Sequence, residues 1–106
     1  MINNISQTPK PPYYAVIFTS IKSADQENYA EMSAQMEKMV KFQTGYLGHE
    51  SASSGIGITV SYWQNLDAIQ AWKNKSEHKI AQELGKSTWY SHYKIRICKV
   101  EKDYGI

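Results

Sequence analysis

An antiparallel α+β fold with the element order β-α-β-β-α-β is predicted from three observations on this 106-residue chain. Segments of strand character and segments of helical period alternate in that order. The strands Tyr13–Ser20 and Gly55–Trp63 have no clearly polar face, which predicts a sheet covered on both sides. The length allows one domain with a real but not generous core.

Each element has its own signal. Residues 1–12 are polar and end in prolines, so they read as an irregular N-terminal arm ahead of a single domain over 13–106. Tyr13–Ser20 is β-branched and aromatic, hence a strand. Ser23–Phe42 reads as a helix opened by a Ser23/Gln26 capping box. Asp25 and Glu27 lie in its first turn and Lys38 and Lys41 near its last, as the helix dipole favours. Tyr29, Met32, Met36, Met39 and Val40 form its apolar stripe. Gly45 fits its C-terminal stop. Tyr46–Ser53 is a weaker strand, Ser54-Gly55 a turn and Gly55–Trp63 the partner strand of a hairpin. Asn65 caps a short helix over Leu66–Lys73 with Ile69 and Trp72 on one face. Ser76 opens a second piece, Glu77–Leu84, closed by Gly85, so the second helix is expected to be broken. Trp89–Val100 is the last strand. The order is that of a ferredoxin-like domain. Its helices cover one sheet face, and the apolar second face predicts a homodimer in which another copy covers it.

Composition excludes several functions. Net charge is +2 with the lysines scattered, whereas a nucleic-acid binder carries a basic stripe. The single Cys98 allows no internal disulfide and no four-cysteine zinc site, and it reads as a buried, inert thiol in a reducing compartment. There is no apolar run of membrane length and no signal peptide. No membrane partner and a cytoplasmic setting are expected.

The chemistry-bearing groups are few. His49, His78 and His92 lack metal-ligand spacing, so no metal is expected. Gly55-Ile56-Gly57 lacks the third glycine and the following helix of a phosphate loop. Strand alternation sets Ile56, Ile58, Val60 and Tyr62 against Gly55, Gly57, Thr59, Ser61 and Trp63. The second face is a row of small residues ending in the largest side chain available, which suits either a closely seated helix or the floor of a cavity. Trp63 and Trp72 are core or the walls of a pocket for a flat apolar ligand. His78 is a solvated helix residue or an acid–base group near neutral pH. On the last strand Tyr90, His92, Lys94 and Arg96 share one face, either solvated or with Arg96 anchoring an anionic ligand group.

Tyr62-Trp63, then Ile69, Trp72 and Ser76-Glu77-His78, preceded by Gly45-Tyr46-Leu47-Gly48-His49-Glu50-Ser51, resembles the antibiotic biosynthesis monooxygenase family of the dimeric α+β barrel superfamily. The likeness spans roughly Tyr13–Val100. The tail, with Trp89, Tyr90, Tyr93 and Arg96, resembles uncharacterised members. The resemblance implies two ferredoxin-like sheets closing a barrel at a dimer interface, with a ligand cavity in each subunit between sheet and helices. Some members oxidise polycyclic aromatic or quinol substrates with O2 and no bound metal or flavin, which implies no resident cofactor; others bind and degrade haem. The haem-degrading branch has an Asn on its first strand and a ligating His where this chain has Gln82. Here Tyr13–Ser20 has no Asn, and His78 lies one helical turn before Gln82.

Three functions follow as expectations. One is a cofactor-independent oxygenase of an aromatic or quinol-like molecule, with His78 as the catalytic acid–base group and Trp63, Trp72 and Arg96 contacting the ligand. The second is a non-catalytic dimer that binds a small molecule or haem. The third is a dimer whose barrel is a packing solution without a ligand.

Overall fold

The computed structural model describes the backbone of residues 5–84 and 89–106, and the side chains of all of these except 81–84. The elements are β1 (Tyr13–Lys22), α1 (Tyr29–Val40), β2 (Tyr46–Ser54), β3 (Ile56–Trp63), α2 (Leu66–Leu84) and β4 (Tyr90–Val100). The strands form one antiparallel sheet in the order β2-β3-β1-β4. Each helix therefore crosses over one intervening strand, which is the ferredoxin-like topology.

Strand register decides which residues meet the helices. Residues paired across antiparallel strands share a sheet face. Trp63 stands opposite Tyr14 of β1 and Tyr46 of β2. It packs with Val40 at the end of α1 and with Ala68, Ile69 and Trp72 of α2. The Gly57-Thr59-Ser61-Trp63 face therefore looks at the helices. Ile56, Ile58, Val60 and Tyr62 look the other way, together with Ala15, Ile17 and Thr19 of β1.

Other contacts explain why the elements begin and end where they do. Asn65 Oδ1 accepts the Ala68 N–H at 2.8 Å and caps α2 as expected. The Met32 and Val40 side chains are buried, as the α1 stripe requires. Gly45 does not stop α1, whose cap is Lys41. It sits at the entry to β2 with φ +86°, where a Cβ would come within 2.7 Å of the Ala68 Cβ. Both the backbone conformation and the close helix require glycine there.

Three further expectations need correction. The α1 helix begins at Tyr29 rather than Ser23, because Asn28 takes a left-handed conformation at φ 64°. Gln26 makes no capping box: its Nε2 donates to the carbonyls of Ser23, Asp25 and Trp89. The Trp89 indole N–H returns a bond to the Glu27 carbonyl at 2.8 Å, so this connection is held by the start of β4 and not by a cap. The second helix is continuous. Ser76 Oγ donates back to the Lys73 carbonyl at 3.2 Å instead of starting a new helix, and a Lys73–Glu77 ion pair at 3.7 Å spans the expected break. The Gly85 stop and the Gln82 side chain lie outside the described residues. Finally, Cys98 is exposed. It lies on the edge strand, opposite Ala15, on the sheet face turned away from the helices.

Candidate active site

Trp63 is the centre of the helix-side core and is fully buried, at 0% exposure. Its indole N–H donates to Ser61 Oγ at 2.9 Å. One neighbour on the small-residue face thus satisfies the buried donor that a Trp brings. The Trp72 ring stacks on Trp63, with centroids 6.4 Å apart and 28° between planes. Tyr46 meets Trp63 edge-on at 5.5 Å. Farther along β3, Gly57 lies against Ser20, whose Oγ would be 3.2 Å from an added Cβ. Thr59 and Ser61 stay partly exposed beneath the helices.

The structure brings Trp63 and Trp72 together and leaves His78 and Arg96 elsewhere. His78 is exposed. It follows buried Ile69 by nine residues, half a turn out of phase in a continuous helix, so it points away from the sheet. Arg96 pairs with Ile17 on the sheet face opposite Trp63. One pocket cannot hold both Arg96 and Trp63. The last strand also departs from simple alternation. A register shift makes Lys22 pair with Tyr90 and Ile21 with His92, skipping Ser91. Tyr90 therefore leaves the His92-Lys94-Arg96 face and packs on Phe18 at 5.2 Å and on Tyr29 of α1 at 6.1 Å. Burial and the Tyr29 hydroxyl raise its phenol well above the usual range.

A row of polar side chains not anticipated from the sequence borders the Trp63 core. The Tyr46 hydroxyl meets His49 Nδ1, and His49 Nε2 lies 3.3 Å from a carboxylate oxygen of Glu37 on α1. Burial, aided by the Glu37 charge, raises the Tyr46 phenol above its ordinary value. Tyr46 and His49 are three apart, so plain alternation would put them on opposite faces. A bulge at Leu47 brings them together: Tyr46 pairs with Trp63 and Gly48 with Tyr62, skipping one residue.

On the other face the arm and the C-terminal tail border an open pocket of about 430 Å³ whose walls include Tyr13, Tyr62, Glu50 and Asp103. It touches neither Trp63 nor His78. The arm passes so close over Gly48 that an added Cβ would be 2.8 Å from Ser6 Oγ. The Ser6 N–H donates to Glu50 Oε2 and the Tyr62 hydroxyl to Glu50 Oε1, both at 2.7 Å. Tyr13 donates to Asp103 Oδ2 at 2.5 Å. Burial and the Glu50 carboxylate push the Tyr62 phenol up to about 12. For Glu50, burial alone would raise the carboxyl; the bonds from Tyr62 and Ser6 outweigh it and hold the carboxyl below its ordinary value of 4.5. A carboxyl lowered on folding stabilises above its unfolded value and loses that effect as pH falls through the folded one. Glu50→Gln is therefore expected to lower the thermal midpoint at pH 7. The gap to wild type should shrink towards pH 3 in a melting series; a constant gap would contradict this role.

The topology and the helix-covered Trp63 core define a ferredoxin-like α+β domain. The antibiotic biosynthesis monooxygenase family model matches residues 12–84, and the chain belongs to that family. It is 46% identical over 104 residues to the uncharacterized protein YqjZ of Bacillus subtilis strain 168, covering 96% of this chain and 91% of that one. Among solved structures it resembles Rv0793 from Mycobacterium tuberculosis, with TM-score 0.70, 10% identity and coverage of 88% of this chain and 99% of that one. It also resembles a mutant form of SnoaB, a cofactor-independent oxygenase from Streptomyces nogalater. There the TM-score is 0.65, the identity 7% and the coverage 86% of this chain and 95% of that one. No helix of the described residues is long and apolar enough to cross a membrane.

Proposed function

We propose that this protein is a cofactor-independent monooxygenase of an aromatic or quinol-like small molecule, working as a homodimer. The observation that carries the reading is the strip of Gly57, Thr59 and Ser61, which stays partly exposed on the sheet face the helices should cover. Phe18 of β1 flanks the strip. Beyond it on the same face Tyr93, Ile95 and Ile97 of β4 are 63%, 44% and 52% exposed. A flat apolar ligand on this floor would meet apolar walls on one side and Trp72, stacked on Trp63, at one end. Trp63 supports the site from beneath through Trp72, and Arg96, on the other face, takes no part. Membership of a family that includes oxygenases adds support. The second copy covers the face of Ile56, Ile58 and Val60.

The chemistry asks for a base at the ligand and for O2. With anthrone as probe, a methylene proton leaves, the resulting carbanion reacts with O2, and the methylene becomes a carbonyl with loss of water. The sequence points to His78 for the proton step, but its imidazole lies on the side of α2 away from the sheet, so a group bordering the floor has to take the proton. The experiment is oxygen uptake by purified protein with anthrone, no metal or flavin added. The expected result is a rate well above the buffer rate, reduced about tenfold or more, some 1.4 kcal/mol in barrier, by Thr59→Trp, which fills the floor. Uptake at the buffer rate would sink the reading.

A further inference from the structure

We propose that Tyr46, His49 and Glu37 form a proton relay in which the Tyr46 hydroxyl is the catalytic acid–base group, with His49 and Glu37 as positioning residues. This rests on the oxygenase reading and names the group that takes the substrate proton.

The geometry gives each atom one role. Glu37 is acceptor-only when ionised, so the proton between it and His49 belongs to Nε2. Nδ1 of the neutral imidazole then carries a lone pair and accepts from the Tyr46 hydroxyl. Hydroxyl, base and carboxylate follow one another through two contacts, the order that activates a weak acid or nucleophile in hydroxyl–imidazole–carboxylate triads. The row runs from the buried core to water. Tyr46 touches Trp63, the His49 side chain is 22% exposed and Glu37 is 60% exposed. His49 lies directly opposite Ser61, so the relay borders the small-residue floor. A Tyr packed only for its ring would need neither the imidazole nor the carboxylate behind it.

The step balances within the chain and the ligand. A proton leaves an acidic C–H or O–H of the bound ligand for the Tyr46 oxygen, and the bonding pair stays in the ligand's aromatic system. The Tyr46 proton passes to His49 Nδ1. The resulting imidazolium is held by Glu37 and gives a proton to solvent at the exposed end. Because burial keeps Tyr46 a phenol, it works by passing a proton on rather than as a standing phenolate. The charged and titratable groups around His49 are Glu37 from α1, Tyr46 on its own strand and Glu50 next along it, which feels its charge. β3 brings the uncharged Ser61.

The test is oxygen uptake with anthrone across pH for wild type, Tyr46→Phe, His49→Gln, Glu37→Gln and His78→Ala. Tyr46→Phe keeps the ring on Trp63 and removes one oxygen. It is expected to lose about 100-fold in kcat, as loss of a general acid–base group does. Glu37→Gln should lower kcat and leave KM unchanged, and His78→Ala should match wild type. The wild-type dependence of rate on pH should be lost in His49→Gln, whose amide cannot carry the proton onward. If wild type consumes no oxygen above buffer, both the oxygenase reading and the relay fail. If wild type is active and Tyr46→Phe stays within about twofold of it, the relay fails and the oxygenase reading stands.

Discussion

Trp63→Ala is expected to cost roughly 3–5 kcal/mol, the range for truncating a buried aromatic to alanine. The side chain has no exposed surface and is enclosed by Val40 of α1, by Ala68, Ile69 and Trp72 of α2, and by Tyr14, Val16 and Tyr46 of the sheet. These neighbours come from both helices and two other strands, so no single shift can close the cavity. Deleting the indole also leaves Ser61 Oγ without its donor. Set against a typical 5–15 kcal/mol for a whole domain, the loss is a large share. For a chain of this size it lowers the thermal midpoint by at least about 12 °C. Trp63→Phe keeps a ring and should cost less than half as much. A calorimetric midpoint within about 3 °C of wild type for Trp63→Ala would show that Trp63 is not the core that holds helices to sheet.

Where strands pair without interruption, the sequence is a reliable guide to faces. β3 pairs with β1 over seven consecutive positions, and the split of Ile56, Ile58, Val60 and Tyr62 from Gly57, Thr59, Ser61 and Trp63 is therefore present in the structure. Part of the puzzle of the small face resolves locally. Ser61 holds the Trp63 indole, and Gly57 lets Ser20 lie close. Local signals fail where a distant partner takes over. The Ser23/Gln26 pattern has the spacing of a capping box, yet the Trp89 carbonyl, 63 residues away, claims Gln26. Ser76 has the chemistry of a cap, but an unbroken helix offers it the Lys73 carbonyl instead.

The candidate site was less legible, first because bulges reverse parity. Leu47 and Ser91 are each skipped in the pairing. One bulge places Tyr46 and His49 side by side, and the other moves Tyr90 onto the helix face. No residue type marks either position. The glycine at position 48 was the one available hint, since bulges and close backbone approach favour glycine in strands. The relation of Arg96 to Trp63 needed the register of two strand pairs, which no single segment carries. The arm's bonds to Glu50 join residues 44 apart, and composition cannot show them.

Ile58→Lys is expected to convert the proposed dimer into a folded monomer. Ile58 lies on the sheet face away from the helices, paired with Thr19 of β1 and Ala52 of β2. It is 45% exposed, beside Ile56 at 52%, with Ile21 of β1 at 45% on the same face. The arm and tail cover the Tyr13–Tyr62 end of this face and leave this apolar end uncovered. In a two-fold interface each residue is used twice. Fully burying an isoleucine is worth about 1.5–3 kcal/mol; with 45% of Ile58 left to bury, losing two weakens association by about 1.4–2.7 kcal/mol. That is roughly 10- to 100-fold in the dissociation constant, before the cost of covering two ammonium groups. Because Ile58 is already half exposed within one chain, the lysine can reach water and the fold survives. Sedimentation equilibrium at micromolar concentration should give twice 12.1 kDa for wild type and 12.1 kDa for Ile58→Lys, with unchanged circular dichroism. A wild-type chain sedimenting at 12.1 kDa would mean that the apolar face is covered by something other than a second copy.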